Sequence, residues 1–176
     1  MTPAAASHVV LALGSNLGDR QATLANAVRD LAEVPGIELT GVSPVFESVA
    51  VKVHGVDDTA PRYLNSVVTG RYAGEPHDLL AAVNAIEADH GRVRLERWGD
   101  RTLDIDIIVV DSLECDDDRL TLPHPRAWER DFVLAPWLCL EPDAAIPGRG
   151  LVRDLLAQCD TSVAPTAVAV NAGVPE

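Results

Sequence analysis

Apolar positions along the chain fall in short, bounded runs whose period switches between that of strands and that of helices. His8 to Leu13, HVVLAL, is an apolar run with the β-branched content of a buried strand, and GSNLGD then ends it with turn and cap residues, Gly14 among them. From Asp19 to Val34, Leu24, Ala27, Val28 and Leu31 recur at helical spacing until Pro35-Gly36 stops the pattern. Ile37 to Phe46 reads as a second strand and Leu64 to Tyr72 as a third, separated by a polar, Gly- and Pro-containing loop of about seventeen residues. A loop of that length in a compact domain points to a function. Pro76 near a helix start, then Leu79, Leu80, Val83, Ile86 and Glu87, then Gly91, predict a second amphipathic helix with Glu87 at the edge of its apolar stripe. Leu103 to Val110 is a fourth strand.

The order βαββαβ predicts an α/β fold, specifically an α+β sandwich with a ferredoxin-like core, an antiparallel sheet and C-terminal additions. Those additions comprise a Pro- and Trp-containing stretch and a short helix from Leu151 to Cys159. At 176 residues the chain suits one core, expected over residues 1–160, with 161–176 as a frayed tail. The first residues, MTPAAASH, lack the basic start and long apolar run of a secretory signal, and no stretch approaches the roughly 18 apolar residues needed to span a bilayer. A soluble, cytoplasmic monomer is expected.

Charge narrows the partners. A formal net charge of -13 disfavours nucleic acid and anionic membranes, which are held mainly by pooled Lys and Arg. Lys52 is the only lysine, so almost every cation is an arginine, whose planar fork suits bidentate phosphate contacts. Residues 90 to 101, HGRVRLERWGDR, hold four arginines against Glu96 and Asp100, a local +2 within a chain whose remainder sums to -15. Cys115, Cys139 and Cys159 stand far apart without a C-x-x-C pair, which argues against a zinc site and a disulfide framework.

The chemistry concentrates around the fourth strand. In Asp104-Ile105-Asp106-Ile107 the two carboxylates project from one strand face with Cα atoms about 7 Å apart, so they can grip the same ions. An isolated pair of this kind commonly marks a solvated edge strand. Here Ile105 and the run Ile107 to Val110 indicate a buried strand, where two unpaired carboxylates would cost several kcal/mol, so a cation partner is required. Mg²⁺ takes a few carboxylates, retained waters and phosphate oxygens, and such a pair at a strand mouth suits phosphoryl transfer. Arg92, Arg94, Arg97 and Arg101 place positive charge immediately before it, with Trp98-Gly99 between. His124 in LPHPR is held between two prolines, Arg130 and Phe132 follow, and Tyr63-Leu64-Asn65 offers the aromatic and amide that a flat heterocycle needs.

Taken together, LGSNLGD at 13–19, YLN at 63–65, the run E-x-x-x-GRVR-x-x-RWG-x-RTLDIDI from Glu87, LPHPR from Leu122, and Arg130 with Phe132 make the chain resemble the 6-hydroxymethyl-7,8-dihydropterin pyrophosphokinases of folate biosynthesis, from about Val9 to Leu156. The resemblance implies ATP as co-substrate, two Mg²⁺ ions, and transfer of diphosphate to the pterin hydroxymethyl group with release of AMP. It implies that Asp104 and Asp106 hold both metal ions, with Asp104 also near the pterin. By the same likeness Arg92 and Arg101 contact the transferred phosphates, and Arg94 and Trp98 belong to a mobile loop that closes over ATP. Asn84 and Glu87 would face the nucleotide, Ile107, Thr121 and His124 would line its adenosine and phosphate side, and Arg130 would touch phosphate. Tyr63 and Phe132 would sandwich the pterin, with Asn65 and Ser48 bonding its edge. The chain departs from the family pattern at Ser48-Val49-Ala50-Val51, where a Pro-containing segment is usual, and at Leu95 and Asp100.

Two other readings compete. RNA-recognition modules share the βαββαβ order, but only 4% of residues are aromatic and the net charge has the wrong sign. A noncatalytic nucleotide- or pterin-binding sensor would keep the fold; the intact D-x-D and arginine set argue against it.

Overall fold

The computed structural model describes residues 5–52, 55–91, 102–160, 163–166 and 170. In chain order the elements are β1 (Ser7–Ser15), α1 (Arg20–Ala32), β2 (Ile37–Val42), β3 (Phe46–Ser48), β4 (Ala50–Lys52), β5 (Gly55–Asp57), β6 (Tyr63–Tyr72), α2 (Pro76–Asp89), β7 (Asp104–Val110), β8 (Cys115–Asp116), β9 (Thr121–Leu122), α3 (Asp131–Leu140), β10 (Ala145–Ile146), β11 (Gly150–Leu151), α4 (Val152–Ala157) and β12 (Ala164–Pro165).

The fold is mixed α/β, and every strand pairing among the described residues is antiparallel. The main sheet runs β12-β3-β6-β1-β7, with β2 also pairing β6. Helices cover both faces. Side chains of β1 alternate between them: Val9, Leu11 and Leu13 join α1 and α2 in one apolar cluster, while Val10 and Ala12 join α3 and α4 in the other. Each fully buried leucine, such as Leu11, Leu24 or Leu79, contributes about 1.5–3 kcal/mol by leaving water. Asp19 starts α1, its side chain accepting from the Ala22 N–H at 3.0 Å, and Pro76 fills the first turn of α2, where its missing N–H costs nothing.

The structure corrects the sequence expectations in four places. The first strand runs on to Ser15, so Gly14 is a strand residue and not a turn. The predicted second strand is two strands, because Pro44 has no N–H to donate; the Ser43 hydroxyl accepts the Val67 N–H at 2.9 Å in the break. The long loop before the third strand contains the β4–β5 hairpin. The tail is not frayed throughout: β12 lies on the edge of β3, the Thr166 N–H donates to the Val45 carbonyl at 2.9 Å, and Val170 is buried. An exposed edge strand offers unpaired backbone groups that a following segment can satisfy. Among the described residues, no helix is long and apolar enough to cross a membrane.

Close backbone packing constrains β6. Its register with β2 slips between Leu39 and Gly41, and at Gly70 a Cβ would stand 2.7 Å from the Glu38 carbonyl oxygen. Gly70→Ala is therefore expected to lower stability by about 1–3 kcal/mol through forced backbone displacement, read from the urea midpoint. An unchanged midpoint would show that the two strands can separate at no cost.

Candidate active site

Antiparallel register assembles the site from separated segments. Asp104 pairs with Gly14, Gly14 with Asn65, and Asn65 with Phe46, so one row crosses β7, β1, β6 and β3. The next site row begins with Asp106 opposite Ala12. Directly opposed residues share a face, so both carboxylates look across positions that carry little or no side chain. The result is a hollow on the sheet face that bears α3. A Cβ at Gly14 would stand 3.4 Å from Asn65 Oδ1 and 3.4 Å from Tyr63 Cδ1, so the absent side chain leaves room between the amide and the ring. Alternation of small residues at Ala12 and Gly14 was the sequence signal for this hollow.

Asn65 is fixed before any ligand arrives. Its Nδ2 donates to Ser48 Oγ at 2.8 Å and to the Phe46 carbonyl at 3.3 Å, and both Asn65 and Ser48 are buried. Ser48 thus orients the amide, and the amide oxygen is turned toward the hollow. Asn16, in the GSNLG segment, is 2% exposed and ties β1 to the chain entering β6 by donating to the Pro61 carbonyl at 3.2 Å.

The carboxylates are half-buried, and their described charged neighbours come from beyond β7. Arg130 Nη1 lies 3.3 Å from Asp106 Oδ2, and His124 Nε2 lies 3.8 Å from the same oxygen. Arg130 immediately precedes α3; its guanidinium also stands 5.6 Å from the centroid of the half-buried Phe132 ring. The expected cation partner of the D-x-D is therefore supplied in part by the protein itself. His124 is anchored through its main chain, donating to the Ile108 carbonyl at 2.8 Å, and its Nδ1 accepts the Arg126 N–H at 3.2 Å. An accepting Nδ1 requires the neutral ring with its proton on Nε2, toward Asp106. Burial first, then the charges of Arg130 and Arg126, push the His124 pKa from its ordinary 6.5 down to about 4 against the opposing pull of Asp104.

Two expected ligand contacts fall elsewhere. Glu87 is 1% exposed, and its Oε1 accepts the Ile105 N–H at 2.8 Å. Its carboxylate clamps β7 between the two aspartates instead of facing a nucleotide; helical spacing put Glu87 at the stripe's edge but could not show what it meets. Ile107 is 4% exposed within the α1–α2 core, on the strand face opposite Asp104 and Asp106. Asn84 lies half-buried on α2. Thr121 and His124 line a cleft of about 430 Å³ whose other walls include Cys115, Pro123, Ile146 and Arg149. Arg92, Arg94, Trp98 and Arg101 lie outside the described residues.

The family model of 7,8-dihydro-6-hydroxymethylpterin-pyrophosphokinase matches residues 10–142. The chain belongs to this family. A 2-amino-4-hydroxy-6-hydroxymethyldihydropteridine pyrophosphokinase of Methylorubrum extorquens is 41% identical over 156 residues, covering 89% of this chain and 96% of the relative. The enzyme of the same name from Pseudomonas aeruginosa is 39% identical over 152 residues, covering 86% and 91%. Among solved structures, Plasmodium falciparum HPPK-DHPS wild type with pterin and p-hydroxybenzoate superposes with a TM-score of 0.65 at 15% identity, covering 90% of this chain and 44% of that one. At that identity the likeness concerns the fold, and it supports the mixed α/β arrangement. The pyrophosphokinase match spans every element from β1 to α3, including both halves of the hollow.

Two consequences are measurable. Glu87→Ala leaves the buried Ile105 N–H without its acceptor and opens a cavity, so a loss of about 2–4 kcal/mol is expected in chemical unfolding; a loss below 0.5 kcal/mol would show that the clamp is dispensable. For His124, the folded pKa lies below the unfolded one, so the unfolded chain binds more protons between about pH 4 and 6.5. The stabilisation is complete above about pH 6.5 and disappears as pH falls toward 4, an effect of about 3 kcal/mol at most. His124→Gln is expected to flatten the stability-versus-pH curve in that window, and an unaltered slope would exclude a buried neutral imidazole there.

Proposed function

We propose that this chain transfers diphosphate from ATP to the hydroxymethyl group of 6-hydroxymethyl-7,8-dihydropterin, releasing AMP, as a magnesium-dependent pyrophosphokinase of folate biosynthesis. The observation that carries the reading is the row in which Asp104, Gly14 and Asn65 stand side by side. It sets the Asp104 carboxylate in line with an oriented amide, with Asp106 on the same face one row along and no side chain at Gly14 between the acid and the amide. The donor set fits magnesium: Asp104 and Asp106 offer hard oxygen ligands from one face of a rigid strand, and half-burial leaves them open to phosphate and water.

Asp104 and Asp106 would hold the metal ions, which when bound neutralise the polyphosphate and orient it for in-line attack. Asn65 bonds the pterin edge through its free amide oxygen, with Ser48 fixing the amide's orientation. Tyr63 and Phe132 supply aromatic surface for the ring. The hydroxymethyl oxygen then forms a bond to the β-phosphorus as the bond to the α-phosphate oxygen breaks, and AMP leaves; the hydroxyl proton is lost. Arg92 and Arg101 receive the transferred phosphates, and Arg94 and Trp98 close over them to exclude water, as the family likeness implies. Arg130 holds Asp106 when polyphosphate is away and turns to it when it binds. Asn84, Thr121 and His124 serve the nucleotide.

The proposal extends to the frame. The strand order β7-β1-β6-β2, with α1 and α2 on one face, supports a ferredoxin-like core within a single domain over residues 1–160. A monomer acting in the cytoplasm agrees with the acidic charge and the dispersed cysteines.

The deciding assay follows AMP. Release is expected only when ATP, Mg²⁺ and the hydroxymethyl dihydropterin are all present, and Asp104→Ala with Asp106→Ala is expected to reduce it by roughly 10³-fold or more. Product formation by the double variant would sink the reading; ligand uptake without AMP in the natural protein would favour a sensor.

A further inference from the structure

We propose that His77, Cys115 and Asp117 form a second divalent-cation site, of the zinc type, that staples the start of α2 to the β8–β9 hairpin. Among the described residues this is the one set of three His, Cys or carboxylate groups that converges, its ligand atoms all within 4.8 Å of one another. His77 Nε2 lies 2.8 Å from Asp117 Oδ2, and Cys115 Sγ lies 3.5 Å from the same oxygen. Ligands at zinc bond lengths in a tetrahedron stand roughly 3.2–3.8 Å apart. Small side-chain rotations therefore convert this hydrogen-bonded cluster into three corners of a tetrahedron, leaving the fourth to water.

Asp117 is set up for ligation. Its Oδ1 accepts the N–H groups of Arg119 and Leu120, both at 2.8 Å, so the carboxylate is locked with Oδ2 turned toward His77 and Cys115. Those same two amides hold its carboxyl well below the usual carboxylate range, so it is an anion at any physiological pH. Cys115 behaves oppositely: desolvation, then the hydrogen bond to Asp117 and the charges of Asp117 and Asp116, push its thiol up, and the thiol donates weakly to Asp117 and to the Leu120 carbonyl. A divalent cation reverses the balance: the sulfur–metal bond forms, the thiol proton passes to solvent, and the anion beside the thiolate becomes a fellow ligand.

Ligand chemistry separates this cluster from the D-x-D. Sulfur, imidazole nitrogen and one carboxylate select zinc over magnesium, whereas Asp104 and Asp106 offer oxygen alone. The wide spacing that spoke against zinc in the sequence is overcome by the fold, which joins His77 to Asp117 across forty residues. Cys115 also lines the cleft that includes Thr121 and His124, so an ion held there would brace that wall.

Titration of the reduced, metal-free full chain with Co²⁺ tests the site. One equivalent is expected to bind with a thiolate-to-cobalt charge-transfer band and to be displaced by Zn²⁺. The band is expected to vanish in Cys115→Ser and to persist in Asp104→Ala/Asp106→Ala. In His77→Gln, altered at a partly exposed first-turn position that tolerates change, affinity is expected to fall by roughly tenfold or more. No sulfur band in the natural protein, a band surviving Cys115→Ser, unchanged cobalt affinity in His77→Gln, or loss of cobalt only in the aspartate double variant would each overturn the proposal. None of these outcomes depends on whether AMP is released.

Discussion

Two carboxylates at the start of a buried strand are the constraint around which the molecule is arranged. Each would be costly beside an apolar core without compensation. Three features relieve that cost. Gly14 and Ala12 leave open space beside Asp104 and Asp106, so the acids stay half-hydrated. Arg130 lies against Asp106 from the foot of α3. Glu87 takes the Ile105 N–H from the opposite face, fixing the backbone between the two acids.

The same antiparallel register explains why metal-type ligands and pterin-type ligands lie together. Asn65 is opposite Gly14, and Gly14 is opposite Asp104, so strand pairing alone fixes the spacing between the amide and the carboxylate. Ser48 then sets the amide's rotation. In the segment Ser48-Val49-Ala50-Val51, it is the Ser48 hydroxyl on β3 that fixes the Asn65 amide. The LPHPR segment contributes in the same rigid way, through the His124 amide bonded to β7 and the imidazole held neutral by burial and by two arginines.

The β8–β9 hairpin adds a different kind of order. Its turn is built on Asp117, whose first oxygen serves the hairpin's own amides and whose second reaches His77 on α2. One short acidic turn therefore links the wall of the cleft to a helix that also carries Asn84 and Glu87.

Hydrophobic period and turn chemistry were enough to determine the helices α1 and α2 and the strands β1, β6 and β7, because one buried face imposes its period on each long element. The D-x-D, the arginine segment and LPHPR were legible for a similar reason: charge and backbone restriction are local properties. Only the tertiary structure decided what each acid meets. Glu87 and Ile107 turned inward because α2 and β7 pack directly together, a relation that no local spacing encodes. The docking of β12 depended on an edge of the sheet at β3, and the β4–β5 hairpin formed a small sheet of its own. Residues 77, 115 and 117 became neighbours only when a hairpin folded onto the first turn of a helix, since side-chain proximity across such distances is set by packing and not by sequence order.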